Sequence, residues 1–403
     1  MKRFINCAFK IIFSRTLFII LMILVQLAVL CFGFTKLGES FSYITEGMSL
    51  LGALLVIFIV NRDGAPEFKM TWCILICLLP VFGALIYLFV ELNLGGIGLK
   101  ARTYVRLKET EGLLFATERT KKAVAGSQAD FRGFARYMEG TVGFPAYQGS
   151  EAVYYPSGED KFKDLLKELQ KAERFIFLEY FIMERGIMWN AILDILKEKV
   201  KQGVEVRVMY DGMCSIMLLP YGYPSELEKY GIKAKMFAPI RPFLSTNQNN
   251  RDHRKIVVID GKVAFTGGVN LADEYINEKE VYGYWKDTAV KITGEAVRSF
   301  TVMYLQMWHV SENGAADEYE KYLQNIVFDK PLKDDGFVIP YGEMPTVPTE
   351  VAKTVYESLF NTAKKYVHVM TPYFIVEQEF FDTMRYAAQR GVEVKMILPH
   401  IPD

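Results

Sequence analysis

The feature that most constrains the fold of this chain is an internal repeat. Two β-rich runs separated by a helical stretch occur twice, about 190 residues apart. KAERFIFLEYFI and QGVEVRVMYDG in the first copy match KKYVHVMTPYFI and RGVEVKMILPHIPD in the second. Gly203, a plausible helix C-cap, recurs as Gly391. Strands alternating with helices predict an α/β fold with a mixed sheet, and the repeat predicts two similar lobes related by a pseudo-twofold axis.

The second copy ends sooner than the first. About 50 residues separate Gly203 from His253, whereas 12 residues follow Gly391. By this spacing, the counterpart of His253 falls at about position 440, so we expect the second lobe to be incomplete. The predicted domains are a transmembrane anchor (1–95), a polar connector (96–150), a first lobe (151–315) and the start of a second lobe (316–403).

A second strong feature is the pattern H-x-K-x-x-x-x-D. It comprises His253, Lys255 and Asp260, and is followed by Gly267, Gly268 and Asn270. RKIVVID and KVAFTG predict two strands of a hairpin joined at Asp260–Gly261. His253 and Lys255 are two residues apart on a strand and therefore share a face. An imidazole can attack a phosphate, and an ammonium or a backbone N–H can neutralise its oxygens. Asp260 occupies the turn, where its carboxylate can tie down neighbouring backbone.

Three apolar runs in the first ninety residues predict transmembrane helices. Runs 16–34 and 70–90 carry no charge and are long enough to span a bilayer. Run 41–60 carries one charge, Glu46, and has a shorter apolar centre. We therefore expect a multi-pass protein with two or three spans. With three spans the flanking lysines and arginines give a near tie, so the orientation stays open.

Composition limits the partners. The 403-residue chain has no formal net charge and no basic stripe, so we expect no nucleic-acid binding. Cys73 and Cys77 are one helical turn apart, with no further ligand nearby, so we expect no metal site.

These motifs resemble those of bacterial cardiolipin synthases of the phospholipase D superfamily. The similarity extends to LEYFI, to YWKDTAVKITGEAVRSF after the motif, and to the membrane module WCILICLLPVFGALIYLFVELNLG. The chain departs from the family at Asp252, where Asn is frequent, and at Ala289, where His is frequent. The resemblance implies transmembrane helices followed by an α/β phospholipase D-like fold. It also implies phosphatidyl transfer between two phosphatidylglycerol molecules through a phosphohistidine, with release of glycerol and no cofactor.

The resemblance also implies roles for single residues. His253 is the nucleophile or the general acid, Lys255 binds phosphate oxygens, and Asn270 donates to the same phosphate. Asp287 hydrogen-bonds the motif histidine and fixes its tautomer. Glu179 ends a strand that faces the cleft. The candidate catalytic residues are His253, Lys255, Asp260 and Asp287, and the candidate substrate-binding residues are Asn270, Gly267, Gly268 and Glu179.

Three functions remain open at this stage. The first is a cardiolipin synthase in the cell membrane, acting on phosphatidylglycerol and other membrane phospholipids, with a homo-oligomer left open. The second is another membrane-bound phospholipase D-type hydrolase or transphosphatidylase. The third is an inactive product, because one H-x-K motif supplies one imidazole where the family reaction uses two. On this last ground we expect the 403-residue chain alone to be inactive.

Overall fold

A computed structural model gives the fold. It describes residues 24, 38–62, 64, 66–91, 94–214, 218–239, 250–312, 318–328, 336–344, 347 and 350–400. These fall into two compact units, one up to Gly98 and the other from Leu99 onward.

The first unit contains three helices: α1 (Gly38–Asn61), α2 (Pro66–Leu78) and α3 (Pro80–Glu91). A small apolar core holds them together, with Ile59, Ile76 and Tyr87 buried. Gly83 allows α3 to approach α2 closely, because a Cβ there would lie 2.7 Å from the carbonyl oxygen of Leu75.

The prediction of transmembrane helices is wrong for the described residues. None of their helices is both long and apolar enough to cross a bilayer. Run 70–90 is divided at Pro80, which has no N–H and so begins a new helix. The resulting α2 and α3 have 13 and 12 residues. At 1.5 Å per residue they rise only about 20 and 18 Å, against about 30 Å of hydrocarbon. In run 41–60 side chains are described from Gly47 onward, and run 16–34 lies outside the described residues except for Leu24.

A mixed seven-stranded sheet forms the centre of the second unit. Its strands are β1 (Ser150–Tyr155), β2 (Phe175–Tyr180), β3 (Glu205–Asp211), β4 (Lys233–Phe237), β5 (Lys255–Ile259), β6 (Val263–Gly267) and β7 (Ala289–Gly294). Their order is β1-β7-β6-β5-β2-β3-β4. β2, β3 and β4 are parallel, and the remaining pairs are antiparallel. β2 is buried along its whole length, which fits its apolar sequence FIFLEY.

The helices from Leu94 onward are α4 (Leu94–Glu109), α5 (Glu118–Ala125), α6 (Ala129–Tyr137), α7 (Gly158–Lys171), α8 (Ile187–Lys201), α9 (Tyr223–Glu228), α10 (Val297–Val310), α11 (Tyr319–Leu323), α12 (Val351–Thr362) and α13 (Gln378–Gln389). Helices α7, α8 and α9 cover one face of the sheet, and α10 and α11 cover the other. Leu178 of β2 shares one core with α7 and α8, whereas Phe177 faces the other core. There Phe177 stacks on Tyr304 of α10, with ring centroids 4.6 Å apart. The alternation of β2 side chains thus builds two cores.

The second copy of the repeat forms its own β-α-β unit. β8 (Tyr366–Met370) and β9 (Glu393–Ile397) are parallel, as β2 and β3 are in the first copy, and α13 lies between them in the sequence. Gly203 and Gly391 both have left-handed φ values, of 87° and 88°. Each glycine lets its helix end and the next strand begin. The second copy therefore has the same local β-α-β arrangement as the first.

The predicted hairpin is confirmed. β5 and β6 pair antiparallel, and Asp260 and Gly261 between them have φ values of 55° and 69°. Two successive left-handed residues are what a tight hairpin turn requires, and Asp and Gly tolerate this conformation best. This hairpin positions the H-x-K motif, because His253 directly precedes β5.

Candidate active site

His253 and Lys255 lie at the entrance of β5, beside the end of β2. Lys255 is paired in register with Tyr180, the last residue of β2. The next residue, Phe181, contacts both motif side chains. Its ring centroid lies 4.6 Å from that of His253 and 5.3 Å from the ammonium of Lys255. The Lys255 ammonium also donates to the His253 carbonyl oxygen at 2.7 Å. The two residues are therefore held together, with His253 exposed and Lys255 buried.

The surroundings adjust the charge of both groups. Partial burial, and then the neighbouring Lys255 charge, lower the pKa of His253 from its usual value. Burial lowers the pKa of Lys255 to about 8, although Asp252 and Asp287 act in the opposite direction. At neutral pH the site therefore presents a neutral imidazole beside a lysine that is still mostly protonated. A neutral imidazole has the free lone pair that a nucleophile requires.

Asp287 comes close to the motif because of the glycine pair. A Cβ on Gly268 would lie 2.1 Å from Oδ1 of Asp287, and a Cβ on Gly267 would lie 2.4 Å from the carbonyl oxygen of Thr288. The N–H of Gly268 is donated to that same carbonyl at 3.0 Å. The two glycines therefore make room for the carboxylate. The chain does not leave the Gly268 N–H free for a ligand.

The Asp287 carboxylate accepts a hydrogen bond from the Thr288 N–H at 2.7 Å. Burial raises the pKa of Asp287, whereas the Thr288 N–H, Lys255 and Lys161 lower it. Within the described chain no hydrogen bond joins Asp287 to His253. Its influence on the site is electrostatic and acts on two lysines.

Lys161 was not predicted as a site residue. It lies on α7 and is 2% exposed, and its ammonium donates to the Tyr180 hydroxyl at 3.0 Å and to the Val269 carbonyl at 3.4 Å. Burial lowers its pKa to about 7, and Asp287 acts in the opposite direction. The sequence contains a signal for it. Lys161 lies four and eight residues before Leu165 and Leu169 and therefore shares their buried helix face.

Asn270 joins the site through tyrosine and backbone contacts. Its Oδ1 accepts from the Ile182 N–H at 3.0 Å, and its Nδ2 donates to the Tyr275 hydroxyl at 2.8 Å. The side chain is 3% exposed. Both ends of its amide are thus engaged, and it ties the loop after β2 to the loop after β6.

Glu179 belongs to a cluster of buried carboxyl groups. It is fully buried in β2, and neither of its oxygens has a hydrogen-bond partner within the described chain. Arg254 lies 3.8 Å away. Burial, followed by the charge of Asp252, raises the pKa of Glu179 well above its usual value. The Asp252 N–H donates in turn to Asp211 at 2.8 Å. Glu179, Asp211 and Asp252 are therefore three buried carboxyl groups that adjoin the motif in the sequence or in the sheet.

Asp260 lies at the opposite end of β5 from His253. Its carboxylate accepts three backbone N–H groups, from Glu173, Arg174 and Phe175, at 2.7–2.8 Å. Seven residues of extended chain separate it from His253, which is about 23 Å at 3.3 Å per residue. These contacts agree with the structural role expected for it.

A cavity of about 420 Å³ opens beside His253. Its lining also includes two arginines, three acidic residues and three apolar side chains: Arg251, Arg254, Asp252, Glu343, Glu350, Met307, Met344 and Val347. The exposed neutral imidazole beside a buried cation suits attack on a phosphodiester, and the apolar part of the cavity suits an apolar group attached to it.

Two family models match parts of this chain, and one of them covers the H-x-K motif. The family model described as "Cardiolipin synthase, PLD-like domain" matches residues 165–308, and "Phospholipase_D-nuclease N-terminal" matches residues 50–91. An uncharacterized protein from Streptococcus mutans is 44% identical, over 86% of this chain and 75% of its own length. A cardiolipin synthase from Alkalihalophilus pseudofirmus is 33% identical, over 88% of this chain and 70% of its own. One from Halalkalibacterium halodurans is 31% identical, over 87% and 69%.

Proposed function

The chain belongs to the cardiolipin synthase family, and on this premise we propose that it transfers a phosphatidyl group from one phosphatidylglycerol to a hydroxyl of another. The products are cardiolipin and glycerol. The observation that carries this proposal is the pair formed by His253 and Lys255. A neutral, exposed imidazole is fixed beside a buried ammonium, next to a cavity lined by charged and apolar side chains.

The reaction takes place in two displacements at phosphorus. A ring nitrogen of His253 attacks the phosphodiester, so a P–N bond forms and the P–O bond to glycerol breaks. The glycerol oxygen leaves with a proton from a general acid, which the family resemblance makes a second histidine. The hydroxyl of the second phosphatidylglycerol then loses its proton to that group, attacks phosphorus and breaks the P–N bond.

The surrounding residues support the charge that develops at phosphorus. Lys255 neutralises the phosphate oxygens, which become more negative in the transition state. Asp287 and Lys161 set the field around Lys255. Asn270 fixes the two loops that border the site. Because both reactants are bilayer lipids, we place the site at the cell membrane.

The decisive experiment compares His253→Asn with His368→Asn in the full-length protein. His368 is an exposed histidine of β8 and serves as the matched control. Membranes containing each variant receive phosphatidylglycerol labelled with ³²P in the phosphodiester. We expect His253→Asn to abolish both cardiolipin formation and an acid-labile label on the protein, because the covalent intermediate cannot form. His368→Asn should retain both.

Two further outcomes distinguish this assignment from its alternatives. Lys255→Ala should lower turnover by about 10²–10³-fold, the scale for one lost transition-state contact, while leaving some labelled protein. Cardiolipin formation that persists in His253→Asn would refute the assignment. Phosphatidic acid as the main product would favour a hydrolase, the alternative left open above.

A further inference from the structure

The loop between the 3₁₀ turn Asp273–Ile276 and β7 is closed at its base by a side chain. Asn277 has a left-handed φ of 57°. Its amide donates to the Trp285 carbonyl at 3.2 Å and accepts from the Trp285 N–H at 2.6 Å. An asparagine side chain here replaces a backbone pair and shapes residues 277–285 into a closed loop. The loop therefore has a rigid base.

Further contacts fix this loop to elements of the candidate active site. The Tyr284 hydroxyl donates to Glu159 of α7 at 3.2 Å, and Lys279 pairs with Glu184, in the loop after β2, at 3.1 Å. The Trp285 ring packs against Tyr275, with centroids 5.1 Å apart, and Tyr275 accepts from Asn270. Asp287 follows two residues after the base. The loop is therefore attached directly to residues of the candidate active site.

The tip exposes large apolar side chains. Val281, Tyr282 and Tyr284 are 44%, 56% and 65% exposed, and Gly283 turns the chain between the tyrosines with a φ of 87°. The loop 277–286 carries two glutamates and two lysines, so its net charge is zero. Exposed apolar side chains are common on this protein, but these lie on a loop that is fixed beside the candidate active site, so a lipid surface that delivers the substrate would cover them.

We propose that this loop is a bilayer-contact loop: Val281 and Tyr282 enter the headgroup boundary of a phospholipid membrane and hold the site against its substrate. Tyrosine is suited to this position because its ring is apolar and its hydroxyl stays in contact with water. Because the charges of the loop cancel and its tip residues are apolar, we expect the contact to be insensitive to salt. The proposal rests on the proposed function only in taking the substrate from a bilayer.

The chain offers a matched control for this pair. Val153 and Tyr154 are an adjacent valine and tyrosine on β1, at the edge of the sheet, and are 38% and 61% exposed. The test compares Val281→Ser/Tyr282→Ser with Val153→Ser/Tyr154→Ser in the full-length protein. Each variant acts on phosphatidylglycerol in vesicles and on a short-chain phosphatidylglycerol dissolved as monomers.

We expect the loop variant to lose about tenfold in turnover on vesicles, the scale for returning about half of a valine and a tyrosine to water. Its turnover on the monomeric lipid should stay within about twofold of the parent, because the base of the loop is untouched. The control variant should match the parent on both substrates. Equal losses of the loop variant on both substrates would overturn the proposal, since they indicate damage to the site itself.

A readout that needs no turnover separates this proposal from the proposed function. Tyr282→Trp and Tyr154→Trp are reconstituted into phosphatidylglycerol vesicles with and without brominated chains, and the parent fluorescence is subtracted. We expect the bromines to quench Tyr282→Trp, equally at low and high salt, and to leave Tyr154→Trp unaffected. Equal quenching of the two, or quenching lost at high salt, refutes an apolar bilayer contact. Loss of self-association in the loop variant without quenching assigns the surface to a second copy of the chain.

Discussion

Replacing Asp260 with alanine separates a structural aspartate from a catalytic one. The carboxylate accepts three backbone N–H groups at the start of β2. Each hydrogen bond to a charged group contributes about 1.5–3 kcal/mol. Taking the lower value for all three, since two of the donors are only partly buried, gives about 4.5 kcal/mol. The φ of 55° adds about 1 kcal/mol of strain for alanine.

We therefore expect Asp260→Ala to lower the free energy of unfolding by about 5.5 kcal/mol. At about 2–4 °C per kcal/mol for a domain of this size, the melting temperature should fall by about 10–20 °C. Asp260→Asn should cost less than half of this, because Asn tolerates the left-handed turn and keeps an oxygen for Arg174 and Phe175. Thermal unfolding of the purified protein, followed by fluorescence, measures both differences.

Turnover per folded molecule is measured in the same variants to test whether Asp260 takes part in the chemistry. At a temperature where Asp260→Ala remains folded, we expect turnover within about threefold of the parent, because Asp260 lies about 23 Å of extended chain from His253. Lys262→Ala, in the same turn, is the control and should change neither quantity. An unchanged melting temperature with turnover lowered more than about 100-fold would show that Asp260 belongs to the chemistry.

Two further outcomes follow from the site. Gly268→Ala should lower turnover by about 10–100-fold, because its Cβ would displace the Asp287 carboxylate from 2.1 Å. Gly222→Ala, where a Cβ meets nothing within 4 Å, should leave turnover unchanged, and equal rates for both would contradict the role of Asp287. Burial raises the pKa of Glu179 in the folded state. This carboxyl therefore favours the folded state most at pH values below its unfolded pKa. Its contribution is lost as the pH rises through its folded pKa. Melting temperatures measured from pH 5 to 8 should therefore fall less steeply in Glu179→Gln than in the parent, and parallel slopes would refute the burial argument.

Local sequence signals predicted the parts of the fold that depend on local chemistry. Asp260–Gly261 predicted a hairpin because two left-handed residues select these side chains, and both conformations are present. Gly203 and Gly391 marked equivalent helix ends for the same reason. The spacing of His253 and Lys255 placed them together because they share one strand entrance.

Long-range pairing determines what the sequence alone did not predict. Glu179 and Asp252 are 73 positions apart, and they interact because β2 and β5 pair antiparallel with Glu179 opposite Ile256. No periodicity encodes that register. The glycine pair was expected to present N–H groups to a phosphate, but the pairing of β6 with β7 directs the Gly268 N–H to Thr288. For run 70–90, average hydropathy did not predict that Pro80 would end one helix and begin another.

The charges around the motif give the buried Lys161 a role in the proposed site. Asp287 and Lys255 alone would give a site with no net charge and little attraction for a phosphodiester. Lys161 adds a second cation on the buried side, where its pKa of about 7 keeps it only partly protonated without ligand. If the phosphate binds as proposed, we expect it to raise the pKa of both lysines, because it places a negative charge near them. The proposed site would then become more cationic on binding, and the empty site would avoid the cost of holding two buried ammonium groups.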